Sequence, residues 1–179
     1  MEYVTAMGGF DGRLPRKPYW IAGILLLLAL LIVFALITFV TVATMDAGLA
    51  YWLAALVQLA ITYPASAIMV KRFHDLNKSG KWTLLLVVPA IVYSVTNALG
   101  WTGRPISLDG VAIDFEANFF SIWLQSIAIE VKQQPIDFLF DAWLFLVGIW
   151  FLIELGFFRG TRGQNAYGPD PLPAAAASS

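Results

Sequence analysis

Two charge-free apolar runs of 24 residues, 19–42 and 47–70, constrain this chain more than any other feature. A bilayer hydrocarbon core is about 30 Å thick, and a helix rising about 1.5 Å per residue crosses it in roughly 20 residues. Residues 136–158 form a further run of 23 that carries three acids, and 82–99 a shorter one holding Pro89, Ser94, Thr96 and Asn97. Hydrophobic residues make up 59% of the chain and charged ones 13%, with mean hydropathy +0.74. A soluble domain this small has too little interior to bury that much apolar surface. The expected fold is all-α: a polytopic transmembrane bundle of four spans, at about 19–42, 47–70, 82–99 and 136–158. Residues 1–171 are expected to form one integral membrane domain, followed by a proline- and alanine-rich end that reads as a disordered tail over 172–179.

The first run is too long for a signal peptide, whose apolar region is about 7–15 residues, and no cleavage site follows it. It reads as a retained signal anchor. Orientation follows from the cations, because cytoplasmic loops are rich in Lys and Arg. Arg13, Arg16 and Lys17 precede the first span. Lys71, Arg72, Lys78 and Lys81 lie between the second and third, and Arg159 and Arg162 follow the fourth. That places nine cations on one side, against Arg104 and Lys132 on the other. Both termini and the 71–81 segment are therefore expected in the cytoplasm. The long outer insertion 100–135 sets Phe119, Phe120, Trp123, Leu124 and Ile127 along one helical side, as an amphipathic helix at the outer leaflet would. A cap over the bundle or a re-entrant element fits the same residues, and the insertion is a candidate surface for a membrane-protein partner.

The absence of cysteine excludes disulfides, thiolate metal sites and a catalytic thiol. A single histidine, His74, leaves little scope for a metal centre. Neither metal nor cofactor is expected, and no nucleic-acid partner. The polar chemistry gathers in three blocks: GRLPRKPYW (12–20), VKRFHDLNKSGKW (70–82) and FRGTRGQNAYGPDP (158–171). Aromatics and cations at a membrane entry serve as interfacial anchors. Arg13 and Arg16 also have the planar forks that suit a phosphate or an anionic lipid headgroup. In the second block, His74-Asp75 lacks the further ligands of a metal-dependent phosphohydrolase. Ser79, His74 and Asp75 lack the elbow and oxyanion donors of a serine hydrolase. A local role is expected instead: Asp75 pairing with Arg72 or accepting loop amides, Ser79-Gly80 supplying a turn, and Trp82 anchoring the next span. The third block is a chain of turns without a nucleotide-binding signature.

Together these blocks resemble the YhaH-type bacterial inner-membrane family, a family whose domain has no assigned function. By that resemblance Arg13, Arg16, Arg72, His74, Asp75, Ser79, Gly80, Asn165, Tyr167, Gly168, Pro169 and Asp170 match the family's recurring positions, and no catalytic role comes with the match. Asn77 and Lys81 depart from the family's usual basic residue and Trp around the Ser-Gly turn, and 100–135 looks like an insertion.

The remaining candidates are acids in the fourth span. Asp137 and Asp141, four apart, share a helical face, while Glu154 lies near the inner boundary. Pairing of Glu154 with Arg159 or Arg72 would satisfy it. The leading expectation is a non-catalytic inner-membrane protein that contacts membrane lipids, among them anionic headgroups, or other membrane proteins. Its cytoplasmic polar cluster would comprise Arg13, Arg16, Arg72, His74, Asp75, Ser79, Asn165, Tyr167 and Asp170. The alternatives are a small transporter or ion-pathway subunit using Asp137 and Asp141, and a protein that binds or acts on a lipid headgroup or phosphate.

Overall fold

The computed structural model describes residues 8–44, 47–99, 101 and 135–172. Among these residues four helices carry the fold: α1 (Arg16–Thr44), α2 (Ala47–Asp75), α3 (Leu84–Ala98), led in by a 3₁₀ turn over Gly80–Thr83, and α4 (Pro135–Phe157). Arg16–Val40, Trp52–Asp75 and Ile136–Phe157 are long and apolar enough to cross a membrane, and Gly80–Thr96 is a shorter apolar helix. Each helix packs on the next, α4 returns to α1, and α2 also touches α4; among the described residues α1 and α3 do not meet. The described residues are helical apart from turns and a single bridge between Asn165 and Gly168.

Two helices overrun the apolar runs that announce them. Lys71–Asp75, expected as the start of a loop, continues α2, and Arg16–Pro18 already belongs to α1. Helical continuation is favoured because Arg72 and Asp75, three apart, then lie on one face and form an ion pair. Prolines 15 and 18 suit the start of α1, where helix N–H groups have no internal partner; the Pro15 carbonyl accepts the Tyr19 N–H at 3.1 Å.

Inside α3, Pro89 cannot donate to the carbonyl four residues back, that of Leu85. The Trp143 indole N–H on α4 reaches that carbonyl at 2.8 Å, so a neighbouring helix supplies the missing donor. A stack of Tyr93 on Phe140, and Trp82 edge-on to Trp150, continue the α3–α4 seam.

Burial is uneven. Leu14, Ala22 and Ile68 form one core cluster, and Phe73, Val147, Phe151 and Leu155 another. Both gather toward the end of the bundle where α1 starts and α2 and α4 finish. Beyond Ala22, α1 has no buried side chain among those described up to Val40, and its half-buried positions (Leu26, Leu30, Val33, Ile37, Val40) repeat at intervals of three or four. One stripe of α1 therefore faces α2, and Leu25, Leu28, Ile32, Phe34 and Phe39 face outward. That distribution suits a helix whose solvent is hydrocarbon. The amphipathic helix expected within 119–127 lies outside the described residues, as does the tail from 173 onward. Pro169–Leu172 is held in place: the Asp170 carboxylate accepts the Gly163 N–H at 2.7 Å and the Leu172 N–H at 3.0 Å.

Candidate functional site

A helix leaves its last four carbonyls without internal partners, and at a membrane boundary each orphan is costly. Two helices, α2 and α4, end side by side here. Asp75 closes α2 and lies between two guanidinium groups. Its Oδ1 accepts from Arg13 Nε at 3.2 Å and Nη2 at 3.1 Å, while its Oδ2 pairs with Arg72 Nη1. The Arg13, Arg72 and Asp75 side chains are all but fully buried.

Arg72 spends its other donors on carbonyls: Leu155 at 2.7 Å, Leu14 at 3.3 Å and Phe158 at 2.5 Å. Two more carbonyls at the end of α4 are met from α1, Gly156 by the Trp20 indole and Phe157 by Arg16, each at 3.2 Å. Four consecutive carbonyls, 155 to 158, are thus capped by three side chains of α1 and α2. Two of those are cations, which the negative end of a helix dipole favours.

The end of α2 is closed as completely. Asn77 takes the left-handed conformation at φ 57°, which Asn tolerates better than most residues. Its N–H bonds to the His74 carbonyl at 3.0 Å, and the Lys78 N–H to that of Phe73 at 2.8 Å, the pairing of a Schellman cap. The Asp75 carbonyl receives the Thr161 N–H at 2.8 Å and its hydroxyl at 3.0 Å, and the Lys71 carbonyl takes the Leu14 N–H at 3.1 Å.

The third block wraps this clasp. Arg13 donates to the carbonyls of Thr161 (2.5 Å), Gly163 (2.6 Å) and Gly168 (3.4 Å), so its fork is consumed by the chain itself. Asn165 donates its amide to the His74 carbonyl and the Thr161 hydroxyl, and its own oxygen accepts the Tyr167 N–H. Gly160 passes against the Asp75 carboxylate: a Cβ there would lie 2.5 Å from Cγ and closer still to Oδ2. Only glycine allows that approach without displacing the clasp.

His74 is pinned on two sides. Its Nδ1 lies 3.2 Å from the Gly12 carbonyl, and its ring stacks on Tyr167 at 3.9 Å and 5°. Asp75 therefore serves the arginines, while the Ser79 hydroxyl accepts the Lys81 N–H at 3.3 Å as the N-cap of the 3₁₀ turn. The geometry of a Ser-His-Asp triad is not formed. Among the described residues no three His, Cys, Asp or Glu side chains gather as a metal site. Backbone donors at Leu172 and Gly163 hold the Asp170 carboxyl below the usual carboxylate range.

Arg13, Arg72, His74, Asp75, Asn165, Tyr167 and Asp170 thus come together in one assembly. Ser79 lies beside it on the 3₁₀ turn, and Arg16 is exposed except for its bond to Phe157. The acids of α4 fall elsewhere. Asp137, 18 residues before Leu155, is about 27 Å along the helix; it is buried while Asp141 is exposed, so a shared face does not give them a shared environment. Glu154 pairs with Lys78 at 2.5 Å instead of with Arg159 or Arg72, because the Arg72 fork is turned to the carbonyls and Asp75. Gly160, Thr161 and the capping role of Trp20 were not singled out from sequence. An acid three residues after an arginine at a helix end, followed much later by an Arg-Gly-Thr, was the available signal for Gly160 and Thr161.

No solved structure matches this chain. The chain is 27% identical over 164 residues to "Uncharacterized protein YiiR" of Escherichia coli (strain K12), an alignment covering 90% of this chain and 84% of that protein. It is 39% identical over 88 residues to "Inner membrane protein YhaI" of the same strain, covering 49% and 69% respectively. The model of the family described as "Protein of unknown function (DUF805)" matches residues 7–169, a stretch that contains all three polar blocks and the whole clasp. The chain, one of whose relatives is named as an inner-membrane protein, belongs to the DUF805 family, a family of unknown function.

Proposed function

We propose that this protein is a non-catalytic accessory protein of the bacterial inner membrane, crossing it four times, with the clasp and both termini at the cytoplasmic face. One observation carries the reading: the distinctive polar residues are buried and satisfy one another, while the cations around them are exposed. Arg13, Arg72 and Asp75 are shut in with chain partners. Around them Arg16, Lys17, Lys78, Lys81, Arg159 and Arg162 are exposed. A catalytic centre keeps groups open for a substrate, whereas a closed clasp holds a surface in shape. The surface it holds is cationic and lies where spans end, so its natural contacts are anionic lipid headgroups and the polar ends of other membrane proteins.

Four crossings are supported by the length of the third apolar segment. The 3₁₀ turn rises about 2 Å per residue and α3 about 1.5 Å, so residues 80–98 reach about 30 Å, the thickness of the hydrocarbon core. A common side for the N-terminal, 71–81 and C-terminal segments is supported by the Leu14–Lys71, Arg13–Asp75 and Thr161–Asp75 contacts, and the cytoplasmic side by the charge bias.

The chain has no native cysteine to interfere with labelling. Single cysteines at Lys78 and Arg162 should both be blocked by an impermeant maleimide in inside-out vesicles and protected in spheroplasts; labelling from opposite sides refutes the arrangement. Affinity capture from native membranes should recover the same membrane-protein or lipid companions with wild type and with Thr38→Val, a change on the exposed side of α1 away from the clasp, and lose them when Asp75→Ala opens the clasp. Retention of those companions by Asp75→Ala counts against the clasp as the organiser of that surface.

A further inference from the structure

Beside the clasp, between the end of α2 and the start of α3, lies a cleft of about 450 Å³, within the usual range for a small-ligand site. Its two ends differ in chemistry. Val70, Leu84 and Val87 line one part, on helices that continue into apolar segments; Ser79 and Lys81 line another, on the polar turn joining them. His74 closes the wall toward the clasp. The turn is seated tightly against α2: a Cβ on Gly80 would lie 2.6 Å from a Val70 methyl and 3.2 Å from His74 Nε2.

Unlike the clasp, the cleft keeps two of its side-chain donors unspent among the described residues, those of Ser79 and Lys81. The Thr83 hydroxyl is used on the Gly80 carbonyl and that of Ser66 on Thr62. The Ser79 oxygen accepts the Lys81 N–H, and among the described residues its own proton has no acceptor. Lys81 is exposed and makes no ion pair among the described residues. Among the described residues no acid lines the cleft; Asp11, on the neighbouring segment, acts electrostatically on Lys71 and His74. An ammonium and a hydroxyl two residues apart, above an apolar wall at the end of membrane-length helices, match the order of groups in a glycerophospholipid.

We infer that this cleft seats one anionic phospholipid, its phosphodiester on the Ser79 hydroxyl and the Lys81 ammonium and the start of an acyl chain along Val70, Leu84 and Val87. The inference deepens the proposed lipid contact of the cationic face and rests on it: the face attracts anionic headgroups generally, and the cleft holds one.

Native mass spectrometry of the full-length protein in a neutral detergent, titrated with phosphatidylglycerol or phosphatidylcholine, tests it. One phosphatidylglycerol should be retained in preference to phosphatidylcholine. Lys81→Gln, a change at an exposed site, should weaken that binding about tenfold, the loss expected for one charge-assisted hydrogen bond. Val87→Trp should fill the apolar end and abolish it, with thermal unfolding of the lipid-free variant checking that the fold survives. Arg162→Gln, exposed and outside the cleft, should leave the affinity within twofold. Equal losses in Lys81→Gln and Arg162→Gln would sink the cleft while leaving the cationic face as a lipid surface. Equal binding of both lipids by every variant would remove both readings. Displacement of the lipid by millimolar inorganic phosphate would reassign the donors to a soluble anion and overturn the lipid assignment.

Discussion

Asp75→Ala is the most informative single change, because it removes the one negative charge that two buried guanidinium groups share. Withdrawing one partner from a buried ion pair costs about 3–5 kcal/mol, since the charge left behind stays out of water. Both Arg13 and Arg72 keep their carbonyl contacts in the variant, so the upper end of that range is not exceeded. For a chain of this size about 2–4 °C of melting temperature corresponds to each kcal/mol, so the midpoint in detergent should fall by about 6–20 °C. The other two members of the clasp should bracket this value. Arg13→Ala leaves Asp75 paired with Arg72 and frees carbonyls near the surface, and should cost less. Arg72→Ala orphans the Leu155, Leu14 and Phe158 carbonyls, at about 1–3 kcal/mol each. That sum approaches the whole stability of a typical domain, about 5–15 kcal/mol, so Arg72→Ala should fail to accumulate. Fluorescence-detected size exclusion with a temperature ramp reads all three variants in one format. A midpoint for Asp75→Ala within about 3 °C of wild type, or Arg72→Ala more stable than Arg13→Ala, would refute the clasp as the element that joins the three segments.

Other outcomes follow from the same contacts. Gly160→Ala drives a methyl into the Asp75 carboxylate and should cost about 1–3 kcal/mol, read as a lower melting midpoint. That loss should shrink in an Asp75→Ala background, where the obstructing group is gone. Trp143→Phe strands the Leu85 carbonyl and should cost about 1–3 kcal/mol. In a Pro89→Ala background alanine restores the helical N–H, so a double-mutant cycle should show most of the Trp143 effect disappear, and strict additivity would refute the pairing. The Asp170 carboxylate titrates below the usual carboxylate range, so the stability it lends its turn is complete above that range and is lost as pH falls through the lowered value. Exchange protection of the Gly163 amide should fall over that acid window in wild type and show no such step in Asp170→Asn.

How much of this was legible beforehand depended on whether the determining physics is local. Helical class and the approximate spans follow from runs of apolar residues, because a helix satisfies its own backbone wherever the chain passes through hydrocarbon. That the three polar blocks share a side follows from where the cations fall. The pairing of Arg72 with Asp75 was readable at a spacing of three, but nothing local announces that Arg13, 62 residues away, takes the other carboxylate oxygen. Nor does any pattern say that Arg72 turns to α4 and leaves Glu154 to Lys78. Trp143 is of the same kind: Pro89 signals an orphan carbonyl at Leu85, and only the packing of α4 names the donor.

The chain's order of residues alone therefore determined its solvent, its secondary structure and the grouping of its charges, since each depends on neighbours within a few turns or on summed hydrophobicity. Tertiary structure decided which polar groups are spent and which remain open. Two helix ends brought side by side present more carbonyls than their own turns can satisfy, and the donors that meet them come from segments far apart in the chain. That demand closes Arg13, Arg72 and Asp75 into a clasp, and it leaves Ser79 and Lys81, a few residues away, with protons to offer.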